Sequence, residues 1–96
     1  MPSTLQPEDP LLTTPADLGA AIRAARRATG MSIASAAMQL GIAKQTLSNL
    51  ETAKGSVGIE IALRVAKEFG VSLFAVPAAE RELVRRAIQA VRAEGR

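Results

Sequence analysis

The segment 44–50 carries the side chains of this sequence that are best suited to specific recognition. If it is helical, its polar residues share one face, within an arc of about 140° at 100° per residue: Lys44, Gln45, Ser48 and Asn49. Leu47 and Leu50, with Ala43, form the opposite, apolar face. Amide side chains match the N6 and N7 atoms of adenine, and an ammonium group reaches O6 and N7 of guanine. The pattern favours a helix that reads base edges in double-stranded DNA over a solvated helix face, which usually carries Glu and Lys pairs.

The composition excludes most other chemistry. The 96 residues include no His and no Cys, so the commonest general base, the thiolate nucleophile and the usual zinc ligands are missing. Aromatic residues make up 2% of the chain, too few for a stacking platform on single-stranded nucleic acid. The net charge of +3 is compatible with DNA binding. We therefore expect one small domain that is not an enzyme and takes no cofactor, metal or small-molecule ligand.

Several helices are needed to position this recognition segment. The first begins after Thr14, a candidate N-cap that Pro15 follows, and ends at Gly30. The second spans 33–40, between Ser32 and Gly41, and the third spans 44–52. Two short helices joined by a turn that contains Gly are typical of a helix-turn-helix. A fourth helix over 59–69 completes a domain over 14–70, with an apolar stripe formed by Ile59, Ala62, Leu63, Ala66 and Phe69.

The two ends of the chain lie outside this domain. Residues 1–13 lack hydrophobic periodicity and are rich in proline, so they are predicted to form a flexible arm. No leader peptide or membrane span is recognised, which predicts a cytoplasmic protein. A last amphipathic helix is predicted over 78–93, with an apolar stripe of Leu83, Val84, Ala87, Ile88 and Val91.

The short segment 71–76 between the fourth and last helices favours a β-strand that Pro77 ends. A strand needs a partner, and the chain offers no second candidate strand. The natural partner is the same segment of a second copy, which predicts a homodimer joined through Val71, Leu73, Phe74 and Val76. The alternative is a short helical turn packed on the core.

The segment 18–71 resembles the XRE family of phage-repressor-like helix-turn-helix proteins. The matching residues are Leu18-Gly19, Ile22-Arg23, Arg26, Gly30-Met31-Ser32, Ala37, Leu40-Gly41-Ile42, Thr46-Leu47-Ser48, Leu50-Glu51, Leu63, Ala66 and Gly70-Val71. Within the family, the run 41–51 followed by a helix and a short β-like tail is most similar to HipB-type antitoxins. That resemblance implies dimerisation through a C-terminal strand, repression of the protein's own operon and binding to a HipA-type kinase toxin.

The resemblance also implies roles for individual residues. Lys44, Gln45 and Asn49 match base-contacting positions, and Thr46 and Ser48 match positions that touch a base or a phosphate. Two further residues match a pair that ties the first helix to the recognition helix: Arg26 and Glu51. Three cations are phosphate candidates, although each is equally an ordinary surface charge: Arg23, Arg27 and Lys54.

This sequence departs from the family pattern at three positions. Ile33 stands where the family usually has a Gln that contacts DNA. Ala43 stands where a Ser or Thr usually caps the recognition helix, and Gly58 where Ser often caps the fourth helix. The missing Ser or Thr cap costs about 1 kcal/mol. These departures weaken the expected operator affinity and leave the expected fold unchanged.

The sequence thus predicts an all-α protein, a five-helix-type helix-turn-helix domain with a short strand over 71–76 that pairs across a dimer and an additional C-terminal helix. Residues 71–96 form the dimerisation strand and this amphipathic helix. The predicted function is a dimeric, sequence-specific repressor that binds an inverted repeat in operator DNA, in the setting of a HipA-type toxin–antitoxin operon. The alternatives are a stand-alone XRE regulator and a helical protein-interaction adaptor with weak DNA binding.

Overall fold

The computed structural model describes residues 9–95. It contains five α-helices and a 3₁₀ turn in the order α1 (Pro15–Thr29), α2 (Ile33–Leu40), α3 (Lys44–Thr52), α4 (Ile59–Glu68), the 3₁₀ turn Ala78–Glu80 and α5 (Arg81–Glu94). The all-helical fold and the positions of the first three helices are confirmed. Within the described range, no helix is long and apolar enough to cross a membrane.

The first helix begins at a complete capping box. The Thr14 hydroxyl accepts a hydrogen bond from the Asp17 backbone N–H at 3.2 Å, and Asp17 Oδ2 accepts one from the Thr14 N–H at 3.0 Å. Thr13 donates to the same carboxylate through its backbone N–H and its hydroxyl, at 2.9 and 3.0 Å. The hydrogen bonds from Thr13, and to a smaller extent those from Thr14, hold the pKa of Asp17 below its ordinary value. Asp17 therefore fixes the start of α1 most strongly when it is ionised.

Gly41 turns the chain between α2 and α3. Its backbone is left-handed, with φ 72° and ψ 31°, a conformation that glycine adopts without steric cost. The hydroxyl of Ser32 caps α2 by accepting from the Ser35 N–H at 3.1 Å. Only residues 41–43 separate the two helices, so the predicted helix-turn-helix is present.

The core lies among α1, α2, α3 and α4 and is built from small and branched aliphatic side chains. Its buried hydrophobic members are Ile22, Ala25, Ala36, Ala37, Leu40, Leu47, Leu50, Ala62, Val65 and Ala66. The predicted stripe of α4 is partly wrong, because Ile59 and Leu63 are 76% and 49% exposed whereas Val65 is fully buried. Both edges of this helix are apolar, and packing against the other helices buries the edge that carries Val65.

The segment that follows α4 is neither helix nor strand over residues 71–77. The alternative of a helical turn over 71–76 is therefore wrong, since the next helical residue is Ala78. The predicted strand requires a second copy of the chain as its partner, so it stays a prediction. Val71 packs partly buried against the core, while Leu73, Phe74 and Val76 are exposed.

The last helix docks only two of the five residues of its apolar stripe. Val84 and Ile88 are half-buried, whereas Leu83 and Val91 are 71% and 67% exposed. Arg85 of α5 forms an ion pair with Asp9, which lies in the predicted arm. Asp9 also accepts a hydrogen bond from the Leu11 backbone N–H at 2.9 Å. This bond has the largest effect in lowering the pKa of Asp9, and the bond from Arg85 lowers it further. Residues 9–13 of the arm thus contact α5 and α1, and residues 1–8 lie outside the described residues.

Candidate nucleic-acid interface

The recognition helix α3 is set closely against α1. Its buried apolar side chains are Leu47 and Leu50, at 0% and 7% exposure. Gly19 of α1 faces the last turns of α3, where an added Cβ would lie 2.5 Å from the Leu50 carbonyl oxygen and 2.6 Å from that of Glu51. This close approach requires glycine and fixes the distance between the two helices.

A buried ion pair locks the same interface. Arg26 Nε and Nη2 donate to the two carboxylate oxygens of Glu51 at 2.7 and 3.0 Å. Arg26 Nη1 also donates to the Met31 carbonyl oxygen at 2.8 Å, which ties the pair to the start of the next helix. The hydrogen bond to Glu51 raises the pKa of the Arg26 guanidinium. The two side chains are 8% and 1% exposed, so Arg26 contributes geometry and does not face a ligand.

The outer face of α3 is polar, as the sequence pattern predicts. Lys44 and Gln45 are exposed at its first turn, while Thr46, Ser48 and Asn49 are half-buried. Gln45 Nε2 donates to Asn49 Oδ1 at 2.9 Å, so the two amides form a hydrogen-bonded pair on this face. The first turn of α3 carries no acidic residue. The face therefore offers an ammonium group and two amides, without a carboxylate that would repel phosphate.

Three cations predicted to contact phosphate lie on the surface of the domain. Arg23 and Arg27 are exposed on α1, and Lys54 is exposed in the loop that follows α3. Among residues 9–95, none of the three forms an ion pair. Their charge is therefore available to an anionic partner.

The structure also explains the departures from the family pattern. Ile33 is half-buried and packs against the core, so at this position packing replaces a polar contact. Ala43 precedes α3 without a side-chain cap, and Gly58 does the same for α4. The expectation that Ala43 joins the buried face of α3 is wrong: the residue is exposed, because an N-cap backbone lies outside the helical spiral.

Sequence reasoning missed one contact that holds the helix-turn-helix in place and one unusual backbone conformation at the end of α3. The guanidinium of Arg64 on α4 donates to the carbonyl oxygen of Leu40, the last residue of α2. Ala53, which ends α3, adopts a left-handed backbone with φ 58°. A basic residue in an exposed run gives no signal of a contact 24 positions away. The sequence gives no signal of the left-handed conformation at Ala53 either, because the glycine that would favour it stands two residues later, at Gly55.

Comparison with known proteins places this arrangement in a family. Residues 22–76 match the model of a helix-turn-helix family, a range that covers more than half of the chain. No curated protein sequence matches the chain. A solved complex of a HipB variant with an O2 20-mer has a similar fold, with a TM-score of 0.61 and 22% identity, covering 71% of this chain and 94% of that one. At this identity the likeness concerns the fold.

Proposed function

Because this chain belongs to the XRE-type helix-turn-helix family, we propose that it is a sequence-specific DNA-binding transcriptional repressor that acts in the cytoplasm as a homodimer. The observation that carries the proposal is the outer face of α3, with Lys44 and Gln45 exposed and no carboxylate in its first turn. Such a face suits the major groove, where amide and ammonium groups bind base edges.

The polar residues of α3 and the surrounding cations have different tasks in this proposal. Lys44, Gln45 and Asn49 determine sequence preference. Lys44 and Gln45 are exposed at the N-terminal turn of α3. Thr46 and Ser48 are half-buried, which suits contacts to phosphate or to a nearby base. The exposed cations outside this helix provide salt-dependent affinity without sequence information: Arg23, Arg27 and Lys54.

The segment 71–76 provides the dimer contact in our proposal. Leu73, Phe74 and Val76 are 40%, 78% and 40% exposed, so three apolar side chains of one short segment lie on the surface. If this segment pairs with its copy as an antiparallel strand, the backbone groups are satisfied, and Phe74 and Val76 share one face of the two-stranded ribbon. A symmetric dimer then presents two copies of α3 to an inverted repeat, with half-sites about 34 Å apart.

The proposed biological setting is an autoregulated toxin–antitoxin operon with a HipA-type kinase toxin. The similarity of the fold to HipB supports it. Co-purification of the protein with the product of an adjacent kinase-like gene tests this setting. If no such gene adjoins this one, the proposed function is that of a stand-alone regulator and not of an antitoxin.

The DNA-binding proposal is tested by fluorescence anisotropy on DNA from upstream of the gene and on scrambled DNA, at two salt concentrations. We expect tight, salt-dependent binding with a clear preference for the upstream DNA. The Gln45→Ala variant should lose about 1–3 kcal/mol at particular base pairs. The Arg27→Ala variant should weaken binding equally on all sequences and reduce the salt slope by about one. Equal weak binding of wild type to both DNAs would contradict the proposal.

A second candidate function is a protein-interaction adaptor with weak DNA binding. It is favoured by α5, which exposes Leu83 and Val91. A Leu83→Ser/Val91→Ser variant separates the two functions. The adaptor predicts that the wild type binds DNA weakly and without sequence preference, and that the variant loses its protein partner. The repressor predicts that the wild type and the variant both bind DNA with sequence preference.

A further inference from the structure

Residues 9–13, which we call the strap, run between the last helix and the first. Arg85 of α5 donates to both carboxylate oxygens of Asp9, through Nε at 3.1 Å and through Nη2. At the other end of the strap, the backbone N–H and the hydroxyl of Thr13 donate to Asp17 of α1, at 2.9 and 3.0 Å. Hydrogen bonds to two different helices therefore fix both ends of this short segment.

The side of α5 that carries Arg85 is also its docked side. Val84, Arg85 and Ile88 are half-buried and lie within an arc of about 100° on the helix. Leu11 of the strap is half-buried too, and neither it nor Val84 nor Ile88 belongs to the side chains that pack against the hydrophobic core. The ion pair places the strap beside this face of α5. Because a helix of 14 residues is only marginally stable in water without tertiary contacts, α5 depends on this docked face.

The strap also borders the recognition helix. Leu12 lines a groove together with Asn49, Leu50 and Ala53, which belong to the second half of α3 and its C-terminal end. Asn49 is a proposed base contact, and the proposed phosphate contact Lys54 follows Ala53 directly. A displacement of Leu12 therefore changes the shape of a groove that adjoins the proposed DNA contacts.

We propose that the strap couples α5 to DNA recognition. When Asp9 is bound to Arg85, the strap holds α5 on the domain and Leu12 beside α3, and release of the strap lowers the affinity for DNA. The inference rests on the proposed function, because its effect is read as affinity for DNA. It goes beyond the shared domain, since α5 lies outside residues 22–76, which match the family model.

The strength of the latch suits control. The side chains of Arg85 and Asp9 are 33% and 48% exposed, and an exposed ion pair is weak, so the strap opens readily. A partner that binds α5 in the released state would weaken DNA binding, and by linkage DNA would weaken the binding of that partner by the same factor. The helix α5 is therefore a site from which the affinity for DNA is changed at a distance.

The test compares the full-length wild type with Arg85→Glu, with the charge swap Asp9→Arg/Arg85→Glu and with Arg86→Glu. Arg86→Glu is the matched control, because Arg86 pairs with Glu82, as Arg85 also does, but makes no ion pair with the strap. Hydrogen exchange followed by NMR reports opening of the strap at the Thr13 N–H and opening of α5 at its helical amides. Fluorescence anisotropy gives Kd on the upstream and scrambled DNA, and thermal unfolding verifies that each variant is folded.

We expect the Thr13 N–H and the amides of α5 to exchange about 2- to 5-fold faster in Arg85→Glu than in Arg86→Glu, because the exposed ion pair is replaced by repulsion from Asp9. Kd on the upstream DNA should be larger in Arg85→Glu than in Arg86→Glu by about the same factor. Both variants replace an arginine with a glutamate, so the difference between them is not an effect of net charge. The charge swap has the net charge of the wild type and opposite charges at the latch, so exchange rates and Kd should return to the wild-type values.

Two results would overturn the inference while leaving the proposed function intact. In the first, Arg85→Glu and Arg86→Glu have the same exchange rates and the same Kd, so the strap does not hold α5. In the second, exchange is faster in Arg85→Glu but its Kd equals that of Arg86→Glu, so α5 is not coupled to DNA recognition. If the wild type shows no preference for the upstream DNA, the proposed function fails and the coupling falls with it, while the exchange rates still show whether the strap holds α5.

Discussion

Gly19→Ala changes the distance between α1 and the recognition helix. The new Cβ would lie 2.5, 2.6 and 2.9 Å from three backbone atoms of α3, none of which can rotate away. Opening the shortest contact to 3.0 Å requires a shift of about 0.5 Å between the helices. Overpacking of this kind costs about 1–3 kcal/mol, and the same shift strains the buried pair of Arg26 and Glu51. Alanine is favoured over glycine in a helix by about 1 kcal/mol, so these two effects leave a loss of about 0–2 kcal/mol. The strained ion pair adds to it, and we expect a net loss of about 1–2 kcal/mol.

Urea unfolding followed by circular dichroism measures this loss, and thermal unfolding should show a Tm lower by roughly 4–16 °C for a domain of this size. The matched control is Ala20→Gly at the exposed neighbouring position, which should cost about 1 kcal/mol by helix propensity alone. If Gly19→Ala is as stable as wild type or more stable, helix propensity outweighs the contact, and the reasoning about close approach is refuted.

Four further predictions concern helix ends and the ion pair. Ala43→Ser should supply the missing cap of α3 and raise the free energy of unfolding by about 0.5–2 kcal/mol in urea titrations; no gain would show that the N-terminal N–H groups are already satisfied. Ala53→Gly should add about 0.5–1 kcal/mol, since it relieves the left-handed backbone at φ 58° but gives a more flexible unfolded chain, and a loss of stability would contradict that strain. Glu51→Leu should cost about 3–5 kcal/mol by leaving Arg26 buried and unpaired, whereas the double variant Arg26→Met/Glu51→Leu should recover most of the loss; equal losses in both would show that packing, not charge, is responsible. Because the pKa of Asp17 is lower in the folded state than its ordinary value of 3.8, its stabilisation is complete above that value and disappears as the pH falls through the lower folded-state pKa. Asp17→Asn should therefore flatten the acid limb of the stability–pH curve, and an unchanged limb would exclude this carboxylate as a source of acid sensitivity.

The surface of α3 illustrates how far sequence reasoning reaches at the candidate site. The separation of Lys44 and Gln45 from Leu47 and Leu50 follows from helical periodicity alone, and the burial pattern agrees with it. The bond between Gln45 and Asn49 is compatible with their spacing of four residues, but spacing does not fix which amide donates.

The helix α4 marks the limit of the same reasoning. Its sequence has apolar residues on both sides of Ala62 and Ala66, so periodicity alone does not decide which side is buried. The structure buries Val65 and leaves Leu63 half exposed. The outcome depends on the shape that α1, α2 and α3 present, which is a property of the assembled domain.

Local signals in the sequence determined where the first two helices begin and end, because caps and turn glycines act within a few residues. Thr14 and Ser32 accept hydrogen bonds from N–H groups three positions later, and Gly30 and Gly41 adopt left-handed backbone conformations that other residues resist. Only the tertiary structure decided which contacts join distant parts of the chain. The approach of Gly19 to α3, the bond from Arg64 to Leu40 and the ion pair of Asp9 with Arg85 connect residues separated by 24 or more positions. Their energies depend on distances that exist only after the helices have packed, so no local pattern encodes them.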